Sequence, residues 1–362
     1  MRTHVAIIYN EPCYSRYDIA GEAMAELGVI KAVAAVHQAL LELGYDAICL
    51  PLTPPLEQVK RNLSSLDADV VFNLFEGFCG YPETEALVTE ILSESGIPYT
   101  GCPGNMIGLA LDKAKTKVIL KAAGIPTPDS QLLDAETLHL FRLSYPCIIK
   151  PRSEDASHSL TINSVVSNFA SLEKQVRLIN EIYGGGALVE EFIDGREFNA
   201  TVLGNSHCTV LPVSEIVYSL PPGMPRILTF AAKWEPDSQY FQNTKVACPA
   251  KTEIHEQECL TGTALAACRA LGYRGYARVD MRMNKEGQLN VIEVNPNPDI
   301  SPDSGSVRQA KEAGIVYNRF IDKIVQLALE REYHDNYYPP NAERRQAGLD
   351  AATAEYTRIQ AV

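Results

Sequence analysis

Short apolar runs and apolar residues at helical spacing alternate along the first hundred residues. Short apolar runs at His4–Tyr9, Ala47–Leu50 and Val70–Leu74 predict strands, whereas apolar residues spaced three or four apart predict helices over Gly21–Leu43 and Thr84–Ser95. Strands that alternate with helices are typical of a parallel sheet with helices on its faces. We therefore predict an α/β domain at the start of the chain.

The later part of the chain carries strand patterns joined by short turns. Alternating runs at Ala277–Met283 and Gln288–Val294 flank a polar tetrad that ends in Gly287, which predicts a hairpin. The remaining predicted elements are strands at Tyr145–Pro151, Ala187–Ile193 and Phe198–Leu203, and helices from Asp112 to near Gly124 and over Ser171–Ile182, Glu253–Leu271 and Ser306–Leu329. Leu228–Pro249 is predicted to be a long polar loop, which in compact enzymes is often a lid.

Length and composition narrow the class of protein. The length of 362 residues predicts two or three folding units. The hydrophobic fraction of 46% is sufficient for a globular protein. The net charge is -13, and no basic stripe is present, so nucleic acid is not an expected partner. No apolar run is long enough for a membrane span, and the first residues do not resemble a signal peptide, so we expect a cytoplasmic protein without membrane contact. Nine scattered Cys residues without a Cys-x-x-Cys pair are expected to be reduced, mostly buried thiols.

The predicted hairpin brings four polar side chains together on its two strands. Residues two apart share a face, so Arg278 and Asp280 point one way, as do Glu293 and Asn295 on the returning strand. Carboxylate and carboxamide oxygens are ligands that Mg²⁺ accepts when it also holds phosphates. An ordinary surface hairpin with solvated charges is the alternative.

Loops and strand ends supply further candidates. Glu11 and Glu76 follow strands of the predicted parallel sheet, where they are placed to meet a substrate ammonium or simply to face water. Lys150 closes an apolar strand, which favours a bound anion, and Ser157 lies in a run of short polar residues suited to a flap over phosphates. No P-loop motif occurs in the sequence.

A second predicted hairpin is suited to a nucleotide. Apolar side chains of Phe192 and Ile193 would enclose an adenine, and Glu197 would accept hydrogen bonds from ribose hydroxyls. As structure alone, the segment is a routine hairpin.

Taken in order, these segments resemble the ATP-grasp superfamily and, within it, the D-alanine:D-alanine ligase-like branch. The resemblance extends over roughly residues 4 to 330 and rests on VVFNLFEG, GIPYTGCP, LDKAKTK, GIPTP, CIIKP, VEEFIDGREF, AAKWEPDSQYF, GYARVD and VIEVNPNPD. It implies a fold of α/β and α+β parts, in which a parallel-sheet N-terminal (pre-ATP-grasp) domain precedes a two-lobed ATP-grasp fold. The implied domains are the N-terminal domain at 1–102, a central lobe at 103–185, a C-terminal lobe with metal site and lid at 186–330, and a polar tail at 331–362.

The resemblance also implies a role for each candidate residue. ATP and two Mg²⁺ ions, for which Mn²⁺ would substitute, are the implied cofactors. The implied contacts are Lys113, Lys150 and Lys233 with phosphates, Glu190, Glu191, Phe192 and Ile193 with adenine, Glu197 with ribose, and Asp280, Glu293 and Asn295 with the metals. Arg278 would face the oxyanion, and Trp234 lies beside Lys233 in the lid.

The implied reaction joins a small carboxylate to a small amine through an acyl phosphate, with release of ADP and phosphate. A homodimer is expected because related ligases are commonly dimers. The substrate end departs from true D-alanine:D-alanine ligases in four places. Tyr9-Asn10-Glu11-Pro12 stands where they have a Gly-Gly pair and a Ser-x-Glu, so Glu11 would take the place of that Glu, and Glu76-Gly77 replaces a His-Gly. Pro298-Asp299 replaces a Pro-Gly, and Ser304-Gly305 replaces a Ser-Leu. We therefore expect the same activation chemistry on other substrates, and Asp299 suggests a positively charged acceptor.

Three alternatives stay open at this point. The chain could be a true D-alanine:D-alanine ligase of cell-wall synthesis, or a ligase-like enzyme with a non-amine acceptor. It could also be a catalytically silent ATP-binding sensor, although a sensor has no need of both Arg278 and Lys233.

Overall fold

A parallel sheet of three strands opens the chain. In the computed structural model, which describes residues 2–13, 15, 17, 28–154, 157 and 159–330, the strands β1 (His4–Asn10), β2 (Asp46–Leu52) and β3 (Val70–Leu74) lie in the order β2-β1-β3. This part contains the helices α1 (Gly28–Glu42), α2 (Leu56–Ser64) and α3 (Glu83–Ser95). The predicted α/β arrangement is therefore confirmed, although the first part of the predicted helix Gly21–Leu43 lies outside the described residues.

The middle of β1, the central strand of the sheet, is buried on both faces. Val5, Ala6, Ile7 and Ile8 are at most 1% exposed. A strand that is covered on both faces needs a continuous apolar run, which is the pattern that predicted it.

An antiparallel sheet of four strands follows. After α4 (Gly104–Leu111) and α5 (Lys113–Ala122), the strands β4 (Ser130–Leu133), β5 (Cys147–Pro151), β6 (Val165–Val166) and β7 (Ala187–Glu191) lie in the order β4-β7-β5-β6. Helix α6 (Phe169–Tyr183) packs on this sheet through Leu172, Val176 and Ile179.

The third sheet carries the predicted metal hairpin. Its strands are β8 (Arg196–Gly204), β9 (Cys208–Val210), β10 (Ser214–Tyr218), β11 (Thr244–Ala247), β12 (Gly275–Met283) and β13 (Leu289–Pro296). The order is β11-β10-β8-β12-β13, and β9 pairs with β8. Helix α9 (Ile254–Leu271) covers one face, and α4 and α5 contribute to the same core through Met106, Ile107 and Leu120.

Two predicted elements differ from the structure. Ser306–Leu329 is not one helix but two, α10 (Gly305–Glu312) and α11 (Tyr317–Leu329), because the chain turns at Gly314 with a φ of +76°. The predicted loop Leu228–Pro249 contains α7 (Phe230–Trp234), α8 (Gln239–Gln242) and the edge strand β11. The side chain of Thr229 caps the N-terminus of α7, and that of Ser238 caps the N-terminus of α8. The polar composition of the segment favoured a loop and gave no indication of these two short helices.

The prediction of nine reduced thiols is wrong for one pair. Cys13 and Cys79 form a disulfide with a Cα–Cα distance of 5.5 Å, whereas the other seven Cys residues are free. The pair is 66 residues apart in sequence, and it meets because the loops that follow β1 and β3 lie at the same edge of the parallel sheet.

Side chains at the end of the third sheet hold the backbone of residues 101 and 102. The side-chain Oδ1 of Asn297 accepts a hydrogen bond of 2.7 Å from the backbone N–H of Cys102. Gly101 has a φ of +89°, and a Cβ there would overlap the same Asn297 oxygen. Arg274 donates to the Gly101 carbonyl at 3.2 Å, so both sides of the turn are held.

Within residues 28–154 and 159–330, none of the helices has the length and apolar character needed to cross a bilayer. The domain boundaries at residues 102, 185 and 330 stay predictions, and the tail at 331–362 lies outside the described part of the chain.

Candidate active site

The hairpin of β12 and β13 brings the four predicted residues onto one face. Arg278 is opposite Asn295, and Asp280 is opposite Glu293, with a register shift after Asp280. All four are half-buried, while the intervening Val279 and Val294 point into the core. The alternation along each strand therefore separates the polar face from the apolar face, as the sequence pattern predicts.

Asp280 orients Arg278 by a two-point contact. The guanidinium Nε and Nη2 of Arg278 donate to the two carboxylate oxygens at 2.7 and 2.8 Å. Burial alone would lower the pKa of Arg278, but the charge and hydrogen bonds of Asp280, together with the charges of Glu293 and Asp299, outweigh burial and raise that pKa. Asn295 also donates to Asp280, at 3.1 Å. The guanidinium is therefore held in one plane with its charge intact, and Nη1 makes no hydrogen bond to the described residues.

Glu293 meets a lysine from the start of α5. The Lys113 Nζ lies 2.9 Å from Glu293 Oε1 and also donates to the backbone carbonyl of Glu154. Burial would raise the pKa of Glu293, but the positive charges of Lys113 and Lys150 hold that pKa at about 2. The Glu293 carboxylate is thus charged at neutral pH, and its Oε2 has no hydrogen-bond partner among the described residues.

Lys233 projects toward the hairpin from α7. Burial lowers the pKa of Lys233, and the neighbouring charge of Arg278 lowers it further, while Glu293 and Asp280 oppose that effect. The predicted lid lysine and the hairpin residues therefore share one electrostatic environment. Trp234 follows in the chain, and its ring lies 3.7 Å from the position of a Cβ built on Gly28.

Glu190 lies between two lysines. Its Oε1 is 2.6 Å from Lys117 Nζ, its Oε2 is 2.6 Å from Lys150 Nζ, and its side chain is 1% exposed. Burial would raise the pKa of Glu190, but the two ammonium charges outweigh burial and hold that pKa at about 2. Glu190 is predicted to contact adenine, whereas in this structure both of its oxygens are occupied by lysines.

The sequence prediction missed Lys117, although the sequence contains a signal for it. Lys113, Thr116, Lys117 and Leu120 are all buried and form the inward face of α5. Polar residues at the core positions of an amphipathic helix need partners, and Lys117 finds them in Glu190 and, at 2.7 Å, in the Thr127 hydroxyl.

Glu197 also has partners that the prediction did not include. Arg282 lies 2.9 Å from Glu197 Oε2, and the Tyr218 hydroxyl donates to the same oxygen at 2.7 Å. Arg282 donates in addition to the Ile193 carbonyl at 2.9 Å, and its guanidinium lies 5.1 Å from the centre of the Phe192 ring. The segment predicted to hold adenine and ribose is therefore fastened to β12 by one buried arginine. Glu191, at the end of β7, is half-buried.

The predicted substrate residues lie in several loops. Glu11 and Glu76 are exposed, and the backbone N–H of Glu76 donates to the Asn10 side chain at 3.1 Å. Asp299 is exposed, and its Oδ1 accepts hydrogen bonds from the Ser301 N–H and hydroxyl at 2.8 and 2.7 Å. Ser304 caps α10, and Ser157, with a φ of +64°, adjoins residues outside the described part.

The donor set of the hairpin is compatible with Mg²⁺ but is not complete by itself. The described residues contain no cluster of three or more His, Cys, Asp or Glu that could hold a metal ion. Asp280 and Glu293 supply two carboxylates, and Asn295 supplies an amide. Mg²⁺ is commonly bound by one or two carboxylates while nucleotide phosphates supply further oxygens. The residues present therefore fit a metal that arrives with a nucleotide.

Comparison with known proteins places the chain among ligases. Residues 119–326 match the family model for the D-ala D-ala ligase C-terminus. An uncharacterized protein, y4sG, of Sinorhizobium fredii is 37% identical over 74% of this chain and 76% of its own length. The D-alanine--D-alanine ligase of Haemophilus influenzae is 30% identical over 82% of this chain and 94% of its own length.

Solved structures share the fold. The VanG D-Ala:D-Ser ligase of Enterococcus faecalis matches with a TM-score of 0.71 and 22% identity over 91% of this chain and all of that one. A D-alanine--D-alanine ligase of Bacillus anthracis complexed with ATP matches with a TM-score of 0.70 and 21% identity over 90% of this chain and 97% of that one. The family match and the similarity to the Haemophilus enzyme together show that this chain belongs to the D-alanine–D-alanine ligase family of ATP-grasp ligases, which form C–N bonds.

Proposed function

We propose that this ATP-grasp ligase joins two amino-acid-like substrates into an amide through an acyl phosphate, with release of ADP and phosphate. One observation carries the proposal. Arg278 is paired with Asp280 on the same face of the hairpin as Glu293, and Lys113 Nζ lies 2.9 Å from Glu293 Oε1. A nucleotide-binding protein without catalysis has no need for an arginine oriented in this way, so the comparisons and the site both disfavour the sensor alternative.

The lysines would reduce the repulsion between the substrate carboxylate and the γ-phosphate in the first step, which forms the acyl phosphate. A substrate carboxylate must approach a γ-phosphate of the same charge, so positive charge has to be held around the transferred group. In this proposal Lys113 and Lys233 contact the phosphates, and Glu190 holds Lys150 in position for the same purpose. When bound, Mg²⁺ at Asp280, Glu293 and Asn295 would neutralise further phosphate charge.

Arg278 acts in the second step of the proposal. Attack of an amine on the acyl carbonyl creates an oxyanion, and a guanidinium fixed by Asp280 is suited to donate to it. The segment around Trp234 excludes water, which would otherwise hydrolyse the acyl phosphate. Glu197 holds the ribose, and Glu190, Glu191, Phe192 and Ile193 surround the adenine in this proposal, with Glu190 acting through its lysines.

The substrate loops favour amino-acid-like substrates with a free ammonium group. Glu11 or Glu76 would accept hydrogen bonds from the first substrate, with Ser157 closing over it, while Asp299 and Ser304 lie at the acceptor end. Asp299→Gly is expected to reduce any preference for cationic acceptors over neutral ones by about tenfold, roughly the value of one exposed charge contact in a partly closed site. Competition between a cationic and a neutral amine measures this preference, and an unaltered ratio would remove Asp299 from the acceptor site.

A second candidate function is D-alanyl-D-alanine synthesis, because the Haemophilus relative carries that name and is 30% identical. The test is phosphate release from ATP and Mg²⁺ or Mn²⁺ with L- and D-amino acids and small amines, singly and in pairs, with Glu293→Ala as the blank. Release that needs a pair and disappears in the blank supports the main proposal, and release with D-alanine alone supports the second. ATP binding without release for any pair would contradict both.

Location and assembly are also part of the proposal. Acidic charge and a metabolic reaction favour the cytoplasm, and the resemblance to dimeric ligases favours a homodimer. Sedimentation of the full chain distinguishes a monomer from a dimer.

A further inference from the structure

A disulfide joins the two loops that carry the candidate substrate carboxylates. Cys13 follows Glu11 by two residues, and Cys79 follows Glu76 by three. The loops follow β1 and β3, which are adjacent and parallel, so both lie at the carboxyl edge of the sheet, where ligands bind in folds of this type. The bond therefore lies within the candidate substrate region rather than in a distant part of the fold.

Hydrogen bonds hold the backbone on either side of this bond. The Glu76 N–H donates to the Asn10 side chain at 3.1 Å, which links the two loops a second time. The Glu11 N–H donates to the Leu52 carbonyl at 3.1 Å, which links the first loop to β2. The distance between Glu11 and Glu76 is thus set by a short path that includes the disulfide.

The conformation of the second loop depends on support. Cys79 has a φ of +49°, a left-handed conformation that is unfavourable for a residue with a Cβ. Gly77 and Gly80 on either side also have positive φ values, of 106° and 78°. Such a backbone persists only where the surroundings hold it, and the bond to Cys13 is one such restraint.

Cys13 and Cys79 are each half-buried, so the disulfide lies near the surface and not in the core. Thiol–disulfide exchange requires access to one of the two sulfurs. Disulfides in reducing compartments are commonly transient and redox-sensing. The bond therefore lies in the candidate substrate region and near the surface, as a reversible link requires.

We propose that Cys13 and Cys79 are a redox-sensitive positioning pair for the amino-acid substrate. The inference rests on the proposed function. In the oxidised form the bond fixes Glu11 relative to Glu76, and the enzyme binds the amino-acid substrate tightly. A dithiol reductant transfers two electrons and two protons, the sulfur–sulfur bond breaks to give two thiols, and the dithiol becomes a disulfide. The loops then separate, and the affinity for the amino-acid substrate falls while the ATP site is unchanged.

The first measurement is independent of activity. Alkylation of the folded protein before and after treatment with dithiothreitol, followed by peptide mass analysis, shows whether Cys13 and Cys79 become labelled only after reduction. Amide hydrogen exchange on the same samples is expected to rise at residues 75–81 after reduction. Labelling of both cysteines without reductant, or unchanged exchange at residues 75–81, overturns the proposal even in a preparation without turnover.

The second measurement uses the substrate pair found by phosphate release. Reduction is expected to raise the KM of the amino-acid substrate about tenfold, because a small displacement of a binding group is enough for such a loss, while kcat and the KM for ATP change less than twofold. Cys13→Ser and Cys79→Ser should each show the raised KM with and without reductant. Cys259→Ser, an exposed free thiol on α9, is the matched control and should respond like the wild type.

The outcomes separate this inference from the proposed function. Failure of every substrate pair to release phosphate contradicts the proposed function, while labelling and exchange still decide the disulfide and its effect on the loop. Turnover with an identical KM before and after reduction contradicts the positioning role alone. If one Ser variant does not fold, the other variant and the reduced wild type still give the comparison.

Discussion

Glu190 and Glu293 are two carboxylates of one site that differ in how they are held. Each has a pKa of about 2 because lysine charges outweigh the cost of burial. Glu190 is 1% exposed and has a lysine at each oxygen, whereas Glu293 is 26% exposed and, among the residues that the structure describes, has Lys113 at Oε1 and no partner at Oε2. A carboxylate whose charge is fully compensated is a structural anchor, and one that retains an available oxygen can take part in binding.

Similar pKa values of two carboxylates do not imply similar roles. A depressed pKa records only that the charged form is favoured, whether by permanent partners or by a site prepared for a cation. The number of occupied oxygens and the exposure of the side chain distinguish the two cases.

The largest expected effect is on turnover in Glu293→Gln. We expect phosphate release to fall about a thousandfold, because the amide lacks the charge that a bound metal and Lys113 require. Glu286→Gln, at the exposed turn of the same hairpin, is the control and should retain activity. A decrease smaller than tenfold would show that Glu293 is an anchor like Glu190.

Glu190→Gln is expected to act on stability first. The free energy of unfolding should fall by about 3 kcal/mol or more, because two buried ammonium groups lose their counter-ion. Urea unfolding at neutral pH measures this change, and Glu181→Gln on the exposed face of α6 is the control. A variant as stable as the wild type would show that water or other groups compensate Lys117 and Lys150.

Acid should remove the contribution of Glu190 to the free energy of unfolding of the wild type. The folded-state pKa of about 2 lies below the ordinary value of 4.5, so the stabilisation is complete above about pH 4.5 and is lost as the pH falls toward 2. Urea unfolding over this range should show a steeper loss in the wild type than in Glu190→Gln. Parallel curves would mean that other carboxylates account for the acid sensitivity.

Lys117→Met should have the smallest effect of the series. Glu190 keeps Lys150 in this variant, so we expect a loss of about 1–2 kcal/mol in the free energy of unfolding. Combination with Glu190→Gln should reveal a coupling of at least about 1 kcal/mol, because the two groups are in direct contact. If the losses of the two single variants simply add in the double variant, Glu190 does not anchor Lys117.

Local pattern was sufficient to predict much of the fold and of the hairpin site. Strand alternation placed Arg278, Asp280, Glu293 and Asn295 on one face without any information from distant residues. The predicted strand at Val70–Leu74 coincides with β3, and other elements differ by a few residues at their ends.

What the sequence pattern did not predict depends on contacts between distant residues. The resemblance implies that Glu190 contacts adenine, but no local pattern indicates that Lys117 and Lys150 reach Glu190 from other elements. Cys13 and Cys79 have no local signature, since only the parallel order of β1 and β3 brings them together. The split of the last predicted helix depends on the left-handed turn at Gly314, which an amphipathic period does not reveal.

The contact between Gly101 and Asn297 constrains how this enzyme can diverge. A Cβ at position 101 would overlap the Asn297 side chain, which also holds the Cys102 N–H. A change at either position is therefore expected to be tolerated only after a change at the other, which is epistasis between residues 196 positions apart. Chimeras that exchange the first hundred residues between relatives should be built with both positions taken from the same parent.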